Sequence, residues 1–179
     1  MWQALLYVNP VTTVIALVAF FVVSVAVCYG APRLGMARRI AGIFLAIAVV
    51  AYVYVLVQPS GGWAEVFGAD PDITLNPIAS FAYTNPGTDL TLAMVTLNAL
   101  LFVPLAIPAF VAVTNRAALW LFGPVLSVLI ETFQAVLGTG RQSDIMDVLA
   151  NSLGYVIGVA MMYAAHALVG VREQRAPVT

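Results

Sequence analysis

Charge is what this chain has least of. Asp, Glu and Arg together make up 8% of its 179 residues, Lys is absent, and Cys and His occur once each. Ordinary globular domains are about a quarter charged, so these few charges cannot cover a water-facing surface and a soluble domain is excluded. The lone Cys28 excludes an intramolecular disulfide and a multi-cysteine metal site. Within its apolar run it reads as a small packing or lipid-facing side chain. The formal net charge of −1 carries no nucleic-acid signature, and no nucleic-acid partner is expected. A basic segment before the first apolar run is also missing, since the first Arg is Arg33. That run therefore reads as a retained helix rather than a removed signal peptide.

Hydrophobic residues fill the space the charges leave, at 63% of the chain with a mean hydropathy of +1.01. A run of about 20 apolar residues spans a hydrocarbon core of roughly 30 Å. Five such runs can be drawn, at about 11–30, 40–58, 90–113, 117–137 and 147–169. The expected fold is all-α: a polytopic integral membrane helix bundle of about five transmembrane helices, forming one membrane domain over residues 1–179. Pro104 and Pro108 fall inside the third run and predict a kink rather than a break. A long connection at 59–89 is unusual for a compact domain and marks a candidate functional segment. Its Trp63, Phe67, Ile73, Leu75, Ile78, Phe81 and Tyr83 suit either an interfacial loop or a lid over a site.

Arginine placement sets the expected orientation. Arg33, Arg38, Arg39, Arg116, Arg172 and Arg175 fall on one side of a five-span topology, and only Arg141 on the other. The positive-inside rule then predicts an external N-terminus and a cytoplasmic C-terminus. The acidic 59–89 loop and the segment ETFQAVLGTGRQSDIMDVLANSLG (131–154) lie on the external side. That segment holds Glu131, Arg141, Asp144 and Asp147, four of the fifteen charged residues.

Helical spacing groups the polar residues. Glu131 and Gln134 share a face, and Asp144, Asp147, Asn151, Gly154 and Gly158 form one stripe, with Gly154 and Gly158 as a close-packing surface. At 1.5 Å per residue, Asn98, Glu131 and Asn151 lie roughly 12, 9 and 6 Å below the outer helix ends, which predicts one polar layer. The glycines of GTGR permit a tight reversal, and Asp144 is placed to cap the last helix. His166 falls near the opposite end and reads as an interfacial residue.

Across about 98–158 the chain resembles the VanZ-like family, named for a teicoplanin-resistance accessory protein. The resemblance rests on NALLFVPLA (Asn98, Phe102, Pro104, Leu105, with Ala106 at the usual Gly), on ETFQ (Glu131, Gln134), and on RQSDIMDVLANSLG (Arg141, Asp144, Asp147, Asn151, Gly154). A further element around Asn76 and Pro77 matches loosely. The resemblance implies a multi-pass protein of the bacterial plasma membrane acting at the cell envelope, with a link to glycopeptide resistance.

Three functions follow from these residues. The leading one is a non-enzymatic, cofactor-free binding protein whose outer-leaflet pocket holds a lipid head group or lipid-linked cell-wall intermediate. There Arg141 would take phosphate or carboxylate, Asn98, Gln134 and Asn151 would orient the ligand, and Asp144 and Asp147 would hold Arg141. The second is a hydrolase or transferase in which Glu131, Asp144 and Asp147 bind a divalent cation and activate attack on a phosphoester or glycosyl bond. The third is a lipid transporter or flippase with Glu131 as a proton relay.

Overall fold

The computed structural model describes residues 10–29, 34–59, 63, 66–68, 70–77, 88–140 and 142–175. Helix α1 (Pro10–Tyr29) opens on a proline, which a first helical turn accommodates because that N–H has no intrahelical partner. Helix α2 (Leu34–Val57) takes Arg38 and Arg39 into its first turns and stops ahead of Pro59. The short strand β1 (Asp72–Thr74) precedes α3 (Thr88–Phe102) and α4 (Ala106–Ala112). Helix α5 (Arg116–Val136) is capped by Asn115, whose Oδ1 accepts from the Ala118 N–H at 3.0 Å. Strand β2 (Gln142–Asp144) leads directly into α6 (Ile145–Arg175).

Among the described residues, four stretches are long and apolar enough to cross a membrane: Met36–Val57, Val95–Ala112, Arg116–Val136 and Ile145–Leu168. A mostly helical architecture with four candidate membrane-spanning helices, of the five runs expected from the sequence, is thus present among the described residues. To it the structure adds one parallel two-stranded sheet, β1 on β2, which an all-α reading did not include.

Helix α6 is the hub of the bundle and packs against α3, α4 and α5, while α2 packs against α1, α4 and α5. Small residues let the backbones approach. A Cβ placed on Gly154 would lie 1.9 Å from the Ala99 carbonyl oxygen, and one on Gly158 would lie 2.5 Å from that of Val103. The glycine stripe therefore faces α3 and its junction with α4. On the α5 side Tyr155 packs against Gly123, where an added Cβ would sit 2.1 Å from its Cγ. Phe102, Leu105, Ile130, Tyr155 and Val159 fill the space between these contacts and are wholly or almost wholly buried.

The regular α-helical bonding of the third span is interrupted at its prolines. Its helical assignment stops at Phe102 and resumes at Ala106. Pro104 and Pro108 have no N–H to donate four residues back. In their neighbourhood Ala106 and Ile107 donate three residues back instead, to Val103 and Pro104, each at 3.2 Å. Tyr52 of α2 reaches the same region from outside, donating its hydroxyl to the Leu101 carbonyl at 2.5 Å. The same ring meets Phe102 edge-on and Phe20 at a tilt, so the region is held by aromatic contacts from two helices.

Candidate functional site

Between α5 and α6 the chain reverses in a few residues, and each is fixed by a nameable bond. Gly138 donates to Ala135 O and Thr139 to Gln134 O, a Schellman arrangement that satisfies the last carbonyls of α5. Gly138 has φ 51° and Gly140 φ 66°, values that L side chains disfavour. At the other end of the reversal the Asp144 carboxylate accepts from the Met146 N–H at 2.9 Å, capping α6, with Asp147 in its first turn.

Glu131 binds the returning chain. It is 6% exposed; its Oε2 accepts from the Asp144 N–H at 3.1 Å and its backbone carbonyl accepts from the Ser143 hydroxyl at 3.0 Å. Across the bundle Asn98 Nδ2 donates to Asp147 Oδ1 at 2.5 Å, joining α3 to α6. Gln134, also buried, donates to the Leu56 carbonyl at 2.8 Å and so ties α5 to the end of α2. One turn deeper, Asn151 Nδ2 donates to Ser127 Oγ at 3.1 Å. Asn151 is 4% exposed, and its Oδ1 is buried without a hydrogen-bond partner.

These pairs correct the expected single layer. Asn98 meets Asp147, and Asn151 lies four residues, about 6 Å, further along α6. Ser127 is likewise four residues below Glu131. Two polar tiers result: Asn98, Asp147, Glu131 and Asp144 above, Ser127 and Asn151 beneath. The seam then continues to Tyr155, whose hydroxyl donates to the Leu119 carbonyl at 2.9 Å while its side chain packs against Gly123. Ser127, Ser143, Tyr155 and Gly123 were not picked out from sequence. The signal for two of them was present, because Gly123 and Ser127 continue the four-residue spacing from Leu119 to Glu131 along α5. Arg141 lies outside the described residues.

The 59–89 connection reaches this site through β1. Asp72, Ile73 and Thr74 pair in parallel with Gln142, Ser143 and Asp144, and Gln142 Nε2 donates to Thr74 Oγ1 at 2.7 Å. A second tie runs from the Phe67 N–H to the Leu137 carbonyl at 2.7 Å. Of the residues named for this connection, Ile78, Phe81 and Tyr83 lie outside the described residues. Among the described residues, no three His, Cys, Asp or Glu side chains come together as a metal-holding group. His166 is exposed, with its ring 6.3 Å from that of Phe110, where Phe110, Trp120 and Tyr163 form an aromatic cluster.

Long apolar helices, a glycine-lined bundle and a buried polar network at one end of it define a helical membrane protein. The residues that meet at that end are the ones whose order and spacing resemble a known family. Residues 40–166 match the VanZ/LLP1 family model, and the chain belongs to the VanZ-like family. No curated protein and no solved structure matches it.

Proposed function

We propose that this protein is a non-enzymatic binding protein of the bacterial cell envelope. Its polar end would hold a lipid head group or a lipid-linked cell-wall intermediate, and through it influence susceptibility to glycopeptides such as teicoplanin. In this reading the chain crosses the plasma membrane five times, α1 included, with the N-terminus and the polar end outside. Charge placement supports that orientation, since Arg38, Arg39 and Arg116 lie at the opposite ends of the helices from Asp72, Asp144 and Asp147.

One observation carries the binding reading. A network built only to glue helices together would satisfy its own atoms, because an unsatisfied buried acceptor costs about 1–3 kcal/mol. Asn151 Oδ1 is such an acceptor, directly beneath the Glu131 and Asp147 tier. Turning the amide over would only exchange the orphaned oxygen for an orphaned nitrogen. A hydroxyl or ammonium on a ligand would complete it. Asn98 and Gln134 spend amide protons on Asp147 and Leu56, so they shape the pocket through these partners. Arg141 would take the ligand's phosphate or carboxylate.

The test is lipid retention by purified protein in detergent, read by native mass spectrometry, with Arg141→Ala and Asn151→Leu as variants. Envelope lipid should remain on the parent protein and be lost from both variants while each still elutes as a folded species. Unchanged lipid retention in both would refute the assignment of these residues to a ligand. Glycopeptide susceptibility of cells expressing the parent and Arg141→Ala forms would separately test the link to resistance.

A further inference from the structure

Among its described residues, the loop between α2 and α3 carries four large apolar side chains outward. Phe67 is 71% exposed, Ile73 54% and Leu75 76%, and Trp63 is exposed as well. In water each would forgo the gain of burying its apolar surface. Their outward position is built in. Ile73 and Leu75 alternate with Thr74, whose hydroxyl accepts from Gln142, so the extended chain turns both apolar residues to one face. Phe67 sits at φ 63°, a left-handed conformation that bulky residues disfavour, and its N–H is held by the Leu137 carbonyl.

This apolar surface is continuous with the sides of the membrane helices. Trp63 stacks on Tyr54, an exposed residue in the last turn of α2, with ring centroids 5.3 Å apart. Leu137, which holds Phe67, directly follows Val136, itself exposed at the end of α5. The loop therefore extends the lipid-facing surface of two spans at the level where those spans end.

We infer that Trp63, Phe67, Ile73 and Leu75 form an interfacial anchor inserted at the head-group boundary of the bilayer. The anchor sets the height of β1, and through the β1–β2 register that of the polar site, relative to the lipid surface. Aromatic and aliphatic side chains on a polar loop are chemically suited to that boundary. The inference is independent of what the polar site binds.

Site-directed spin labelling tests it. In a Cys28→Ala background, nitroxides are attached at Ile73→Cys and at Leu75→Cys, with Asp70→Cys as a water-facing reference. The protein is reconstituted in vesicles of phosphatidylethanolamine and phosphatidylglycerol. At Ile73 and Leu75, collisions with oxygen should exceed those with a water-soluble nickel chelate, and at Asp70 the order should reverse. Nickel dominance at both sites would overturn the anchor in favour of a solvated loop. Exclusion of both relaxers would overturn it in favour of a protein cover, such as a second copy of the chain. Should the label at Ile73 disrupt β1, Leu75 lies just beyond the strand and decides the matter alone.

Discussion

Substituting Ala at Gly154 should separate α6 from α3. The added Cβ would lie 1.9 Å from the Ala99 carbonyl oxygen, whereas even attractive carbon–oxygen contacts lie at about 3.3 Å or more. The two backbones must therefore move apart by about 1.4 Å, taking the difference from that contact distance. Asn98 and Asp147 lie on the same pair of helices, and a displacement of that size would stretch their 2.5 Å bond beyond hydrogen-bond reach. Overpacking of this kind costs about 1–3 kcal/mol, and a hydrogen bond to a charged group contributes about 1.5–3 kcal/mol. The helix preference of Ala over Gly returns about 0.8–1 kcal/mol. A net loss of about 1.5–5 kcal/mol follows, a fall of about 3–20 °C in thermal midpoint for a chain of this size. Gly42 supplies the internal control, because its Cβ position meets nothing within 4 Å. Gly42→Ala should leave the midpoint unchanged or raise it by a few degrees. Both are read by thermal unfolding of purified protein in one detergent. Equal midpoints for the two variants would refute the close approach of α6 to α3.

Tyr52→Phe removes only the hydroxyl and leaves the aromatic packing, so loss of the bond to Leu101 should destabilise by about 1–3 kcal/mol in the same assay. Asp144→Ala should cost about 0.5–2 kcal/mol as a lost helix cap, and Asp144→Ser should recover most of that loss. Glu131→Gln keeps an acceptor for the Asp144 N–H and the backbone carbonyl for Ser143, and should melt close to the parent. Glu131→Ala leaves the Asp144 N–H without that acceptor and should be less stable than Glu131→Gln by about 1–3 kcal/mol.

The membrane spans were readable from sequence because hydropathy and helix length are local quantities. The Asp144 cap and the glycine turn were readable for the same reason, each depending on a few consecutive residues. Two polar residues of the family pattern, Asn98 and Asp147, do meet, but their pairing was hidden by a calculation of depth along straight helices. The interruption at 103–105 lies within the third span, where counting residues along a straight helix no longer gives depth. Gln134 illustrates the same point. Its position on the Glu131 face was clear, yet its partner is a backbone carbonyl of α2, which no side-chain pattern announces. The sheet was least visible of all, since three-residue strands carry no periodic signal and find each other only through the tertiary fold.

Pairing of β1 with β2 also imposes an order of events during synthesis. Thr74 and Asp144 are register partners, so the first strand leaves the ribosome 70 residues before the second. At about 5–20 residues per second this is an interval of about 4–14 s. Over that time β1 has no strand partner, and Phe67 lacks the Leu137 carbonyl that holds it. The described part of the loop gains these two ties only when the α5–α6 hairpin arrives, so the short sheet forms late in assembly.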